Sequence, residues 1–127
     1  MKALLFLLIV SCVGCSGGGD KHYTLATIGS DPVPKNVVFL TYKEFALSLC
    51  TDPQSTNLPL DACRAEIEKN FDQCAASAGA SAPAIVTDRD TAHTLGHAFV
   101  TCVKPGFMCN GVEVKTAEEA HQHNDCQ

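Results

Sequence analysis

Apolar residues recur at three- and four-residue spacing through the middle of the chain, a period that predicts helices. The clearest case follows Asn57-Leu58-Pro59. There Leu60, Cys63, Ile67, Phe71 and Cys74 share one face, while Arg64, Glu66, Glu68, Lys69 and Asp72 fall largely elsewhere around the turn. Proline in the first turn suits the start of this helix, and Gly79 suits its end. Earlier, Thr41-Tyr42-Lys43-Glu44 reads as a capping box. It opens a helix with Phe45, Leu49 and Cys50 on one side, stopping near Thr51-Asp52-Pro53. Thr87 or Asp88 caps a third helix that runs to about Lys104, with Ala92, Leu95, Phe99 and Cys102 as its buried stripe.

The flanks are less periodic. Asp20 to Lys35 reads as an extended lead with a short strand at Tyr23–Ile28, and Val37–Leu40 fits either a strand or the entry to the first helix. Gly79 to Pro83 is a loop, and Lys104-Pro105-Gly106 ends the third helix. Phe107-Met108-Cys109 and Val112-Glu113-Val114 flank Asn110-Gly111, a dipeptide that favours a tight hairpin turn. A second capping box, Thr116-Ala117-Glu118-Glu119, opens a short helix toward Cys126. The expected fold is therefore mainly α: a small disulfide-stapled helical bundle of about three to four helices, with a short β-hairpin near the C-terminus.

The N-terminus has a different character. Met1-Lys2 precedes an uncharged run, Ala3 to Val10, followed by small residues. This is the layout of a secretory signal peptide, and the run is too short to span a bilayer, which takes about 20 apolar residues. The segment Val13-Gly14-Cys15-Ser16 resembles the lipobox of bacterial lipoproteins, in which a small residue precedes a cysteine that is acylated and becomes the new N-terminus. Cys15 is the favoured lipidation site. Cys12, after Ile9-Val10-Ser11, is the competing one and implies a very short signal. Ser16-Gly17-Gly18-Gly19 then reads as a flexible tether. The resemblance implies palmitate-type acylation and stable anchoring by more than one chain. With Ser16 after the lipid cysteine, it also implies an outer-membrane address facing the periplasm. The expected division is a signal peptide over 1–14, an anchored tether and lead over 15–35, and a domain over 36–127.

Charge and cysteine count narrow the reading further. Nine Lys and Arg stand against fourteen Asp and Glu, a net charge of −5 with no basic cluster. Nucleic acid is not an expected partner, because phosphate binding needs concentrated Lys and Arg. Of eight cysteines, Cys12 and Cys15 belong to the signal region. Cys50, Cys63, Cys74, Cys102, Cys109 and Cys126 form an even set that reads as a disulfide framework in an exported domain. Cys63 and Cys74 share a helix face roughly 16 Å apart, beyond disulfide reach, so each needs a partner on another element. If the three main helices run up, down and up, Cys50, Cys63 and Cys102 gather at one end. Cys74 then waits at the other end for Cys109 or Cys126.

Candidate chemistry centres on histidine. His93 and His97 are one turn apart and point away from the Leu95–Phe99–Cys102 stripe. Imidazole ligates Zn, Cu or Ni, and further ligands would come from His121, His123, Asp90 or Asp125. The stronger reading of two solvent-facing histidines on a helix is ordinary surface, with the metal site as the alternative. His93 is followed by Thr94, not Glu, so this is no His-Glu-x-x-His zinc-protease motif. No Cys-x-x-Cys, Gly-x-Ser-x-Gly or phosphate loop occurs, and no catalytic residue or resident cofactor is assigned. Gly96 reads as a point of close packing or as tolerated noise. Phe107 and Met108 read as cover for the domain's own core, or alternatively as an apolar docking tip.

Tyr42-Lys43-Glu44-Phe45-Ala46-Leu47-Ser48-Leu49-Cys50 resembles the opening helix of small, disulfide-bonded immunity proteins that neutralise secreted cell-wall amidases. The resemblance covers about nine residues and assigns none of them a role. It adds weight to a binding role. With no catalytic constellation and a stapled scaffold on a tether, the expected function is that of a non-enzymatic, membrane-anchored module that binds or inhibits a protein of the cell envelope. The alternative is a periplasmic metal-binding lipoprotein using His93 and His97.

Overall fold

Proline sets the entry to two of the three long helices. Pro34 and Pro59 hold extended backbone immediately before the first helical turns, where a missing N–H costs the helix nothing. The computed structural model of the chain describes residues 23–122. Cys12, Cys15, the Ser16–Gly19 tether, His123, Asp125 and Cys126 lie outside the described residues. A 3-10 turn, Leu25–Thr27, leads to β1 (Val33–Pro34) and α1 (Lys35–Ser48), which tightens into a 3-10 turn over Leu49–Thr51. Then follow α2 (Leu60–Gly79), β2 (Ile85–Val86), α3 (Arg89–Val103), the hairpin strands β3 (Phe107–Cys109) and β4 (Val112–Val114), and α4 (Ala117–Gln122). This is the small disulfide-stapled helical domain with a C-terminal hairpin that the periodicity implied. No described helix is long and apolar enough to cross a membrane.

The lead departs from the expected strand. Tyr23–Ile28 forms a turn capped by Thr24, whose hydroxyl accepts from the Ala26 N–H. Ile28 and Val33 are fully buried in the core, and Arg89 donates to the Ala26 carbonyl across the fold. β1 pairs antiparallel with β2, Val33 opposite Val86 and Pro34 opposite Ile85.

Val37–Leu40 is helical, so the Thr41 capping box is displaced from its expected role. Thr41 lies inside α1, where its hydroxyl donates to the Val37 carbonyl, the usual resort of a threonine with no free helix end to cap. Starting at Lys35 also turns the face: Val38, Phe39 and Ala46 are buried, whereas Phe45 is 53% exposed. The two other cap expectations hold. Asp88 accepts from the Thr91 N–H at 2.8 Å, and Thr116 accepts from the Glu119 N–H at 3.1 Å.

α1 and α2 run antiparallel. Lys35 donates to the Gly79 and Ala82 carbonyls at the end of α2. Lys43 pairs with Glu68 at 2.7 Å, and Cys50 is bonded to Cys63, with Cα atoms 5.7 Å apart. α3 starts near Ala78 and Ser81, and the chain beyond it returns to Ala62 and Glu66, so the up-down-up order holds. The core centres on Phe99, fully buried, with Phe39 tilted against it at 5.4 Å and Phe71 edge-on at 5.5 Å.

The disulfide expectation is half corrected. Cys50–Cys63 forms at the expected end, but Cys74 joins Cys102, with Cα atoms 5.6 Å apart. Level packing would set Cys74 opposite the first half of α3. α3 instead lies so that its last turn meets Cys74. The sequence period defines faces, not crossing angles. Cys102 is accordingly exposed on one side rather than part of a fully buried stripe, and Leu60 is 39% exposed at the frayed start of α2. Cys109 is also disulfide-bonded.

Candidate functional site

Two surface hollows hold the residues with chemistry to offer. The larger, of ≈ 550 Å³, lies between the first half of α2 and the hairpin. Leu58, Ala62, Ala65, Pro105 and Met108 supply apolar lining, with carboxylates at Glu66 and Glu113. Leu60 and Val112 are further exposed apolar side chains.

This groove is built by contacts that reach fifty residues along the chain. The Asn57 amide engages both polar groups of Met108. Its Nδ2 donates to the Met108 carbonyl at 2.9 Å, and its Oδ1 accepts from the Met108 N–H at 2.7 Å. Asn57 thereby pairs with the outer edge of β3 as a strand would. Thr56, buried, donates to the Gly106 carbonyl at 3.0 Å and accepts from the Leu58 N–H at 3.1 Å. Cys50–Cys63 fixes the start of α2 just beyond.

The hairpin side is equally determined. Asn110 and Gly111 both take positive φ, 50° and 80°, as the tight turn with right-handed twist requires. Glu113 accepts from Lys115 Nζ at 2.7 Å and from the Gly106 N–H at 2.9 Å. These two donors, the lysine foremost, hold its carboxyl below the ordinary carboxylate range. Gly106 admits no side chain, since a β-carbon there would overlap the Val114 carbonyl. Phe107, Cys109, Val114 and Ala120 form a small core under the hairpin. Phe107 is thus cover for the core, as expected, while Met108 faces the groove.

The second hollow, of ≈ 320 Å³, lies between α1 and α3. Tyr42, Phe45 and Val100 line it together with His93, Gly96 and His97. The two imidazoles are exposed on the outer face, as their spacing implied, with ring centres 6.4 Å apart and planes 30° from parallel. Gly96 is a point of close packing, because Tyr42 rests where its β-carbon would stand. His121 does not join the pair: it lines a separate hollow with Pro53, Gln54 and Phe107. Asp90 does not join it either. Among the described residues no group of three or more His, Cys, Asp or Glu side chains is placed to hold a metal ion.

Sequence reasoning brought out the histidines and the hairpin but missed Asn57, Thr56 and Glu113. Nothing in a loop such as Thr56-Asn57-Leu58-Pro59 signals that its side chains clamp a strand fifty residues later. No protein-family model, characterised protein or solved structure matches the chain. The site is therefore read from its own chemistry.

Proposed function

We propose that this chain is an exported, lipid-anchored protein of the cell envelope that binds another protein through the groove between α2 and the hairpin. The observation that carries the reading is the groove itself: apolar, open and fixed in place by the Asn57–Met108 double hydrogen bond. A preformed surface loses little entropy on binding, and apolar anchors seated in such hollows carry most of the energy of protein contacts. The Cys50–Cys63 and Cys74–Cys102 disulfides suit an oxidising compartment, and the leader with Cys15, or Cys12, supplies the route there. An inhibitory, immunity-like role is the particular form that the resemblance in α1 favours.

A photo-crosslinking amino acid placed at Ala65, beside Met108, tests the reading in cells. The expected result is one discrete crosslinked envelope protein, lost in Ala62→Arg and in Met108→Asp while both variants keep their disulfides and helicity. Retention of that product in both variants would refute the groove as the contact. Radiolabelled palmitate tests the anchor, with incorporation expected to disappear in Cys15→Ser.

A further inference from the structure

We infer that His93 and His97 form a two-imidazole surface site for a borderline divalent cation, with Cu(II) preferred. The inference goes beyond the protein-binding reading and does not depend on it. Residues four apart on a helix place their β-carbons about 5–6 Å from each other. Here both rings lie on the exposed face of α3, with centres 6.4 Å apart. Imidazole nitrogens ligate at about 2.0–2.1 Å, so the two rings need to draw only somewhat closer than this to share one ion. Both are exposed, so rotation about their side-chain bonds brings two nitrogens to adjacent positions on the metal without disturbing the core.

The helix beneath the pair is held firmly. Gly96 lies between the two histidines in sequence, and the Tyr42 ring packs directly against it. Phe45, Val100 and Thr101 complete the hollow, and no lysine or arginine lines it. Arg89, in the adjoining hollow, is turned to the Ala26 carbonyl. The net charge of −5 favours a cation over an anion.

The ligand count selects the metal. Only two protein side chains are available among the described residues, so water must complete the coordination. A structural zinc site needs four protein ligands. Two imidazoles with water suit Cu(II) in tetragonal geometry, and Cu(II) binds nitrogen sites more tightly than Ni(II) or Zn(II).

The test is titration of the full chain with Cu(II), Ni(II) and Zn(II) salts at neutral pH, with the copper form read by electron paramagnetic resonance. One equivalent of Cu(II) coupled to two nitrogens is expected, with Ni(II) and Zn(II) weaker. His93→Ala and His97→Ala should each weaken Cu(II) by at least about tenfold, the lower end of the loss seen when a ligand's support alone is disturbed. His97→Ala/Ala98→His keeps the histidine count but moves one ring off the face, and should bind as poorly as His97→Ala. Absence of bound Cu(II), unchanged uptake in His93→Ala/His97→Ala, or loss only in His121→Ala/His123→Ala would each overturn the assignment.

Discussion

The ring of Tyr42 in α1 packs onto the backbone of Gly96 in α3 so closely that a β-carbon at position 96 would overlap it. Glycine inside a helix costs about 1 kcal/mol relative to alanine. Here that cost is offset by the approach of two helices that also carry the Phe39–Phe99 contact.

A sign reversal follows. Gly96→Ala gains helix propensity but forces the Tyr42 ring outward, and overpacking of this kind costs about 1–3 kcal/mol. The substitution should therefore destabilise the wild-type protein. In a Tyr42→Ala background the obstacle is gone, and Gly96→Ala should stabilise by up to about 1 kcal/mol. A double-mutant cycle by urea unfolding measures the coupling; equal effects in the two backgrounds would show that the contact has no energetic weight.

The two described disulfides should contribute unequally. Cys74–Cys102 closes a separation of 28 residues and Cys50–Cys63 one of 13. In the chain-entropy account the longer loop is worth about 0.7 kcal/mol more. Paired alanine variants, compared by thermal unfolding, should rank Cys74→Ala/Cys102→Ala as the less stable. A peptide map of the oxidised protein should show both linkages and none between Cys63 and Cys74.

Acid should loosen the fold through three carboxylates. Hydrogen bonds from the Thr91 N–H to Asp88, from the Gln54 N–H to Asp52, and from Lys115 to Glu113 are the leading causes that hold each pKa below its ordinary value, 3.8 for the aspartates and 4.5 for the glutamate. A folded pKa below the unfolded one means that stability is fully present above the unfolded value. It is lost as pH falls through the folded value. The melting temperature should thus decline as pH drops below about 4.5, and Asp88→Asn should decline less steeply than wild type. The protection of the Gly106 N–H, which bonds to Glu113, relative to its intrinsic exchange rate should fall over the same range.

The hairpin should depend on Asn57. Removing its amide in Asn57→Ala leaves both polar groups of Met108 to water, a loss of about 0.5–1.5 kcal/mol per hydrogen bond. Amide exchange at Met108 should accelerate, with α1 and α3 unaffected. Gly106→Ala, which sets a β-carbon against the Val114 carbonyl, should be the more damaging. Circular dichroism with near-neutral unfolding measurements would separate the two.

Helix content, the Asn110–Gly111 turn, the Asp88 and Thr116 caps and the outward-facing histidine pair were legible in the chain because each rests on spacing of a few residues. Local order reads out as period, and a turn or cap is named by the residues whose dihedrals and side-chain oxygens it needs. The Thr41 box failed on the same scale, since a competing start at Pro34 absorbed it into the helix interior.

What the amino-acid sequence determined by itself was the set of elements, their apolar faces and the need for cysteine partners on different helices. Only the tertiary structure decided that the last turn of α3 meets Cys74 through Cys102, and that Asn57 closes onto Met108 to shape the groove. The physical reason is range. Periodicity records which side of a helix avoids water, whereas crossing angle and pairing depend on how side-chain volumes such as Phe99, Phe71 and Tyr42 interlock across residues far apart in the chain.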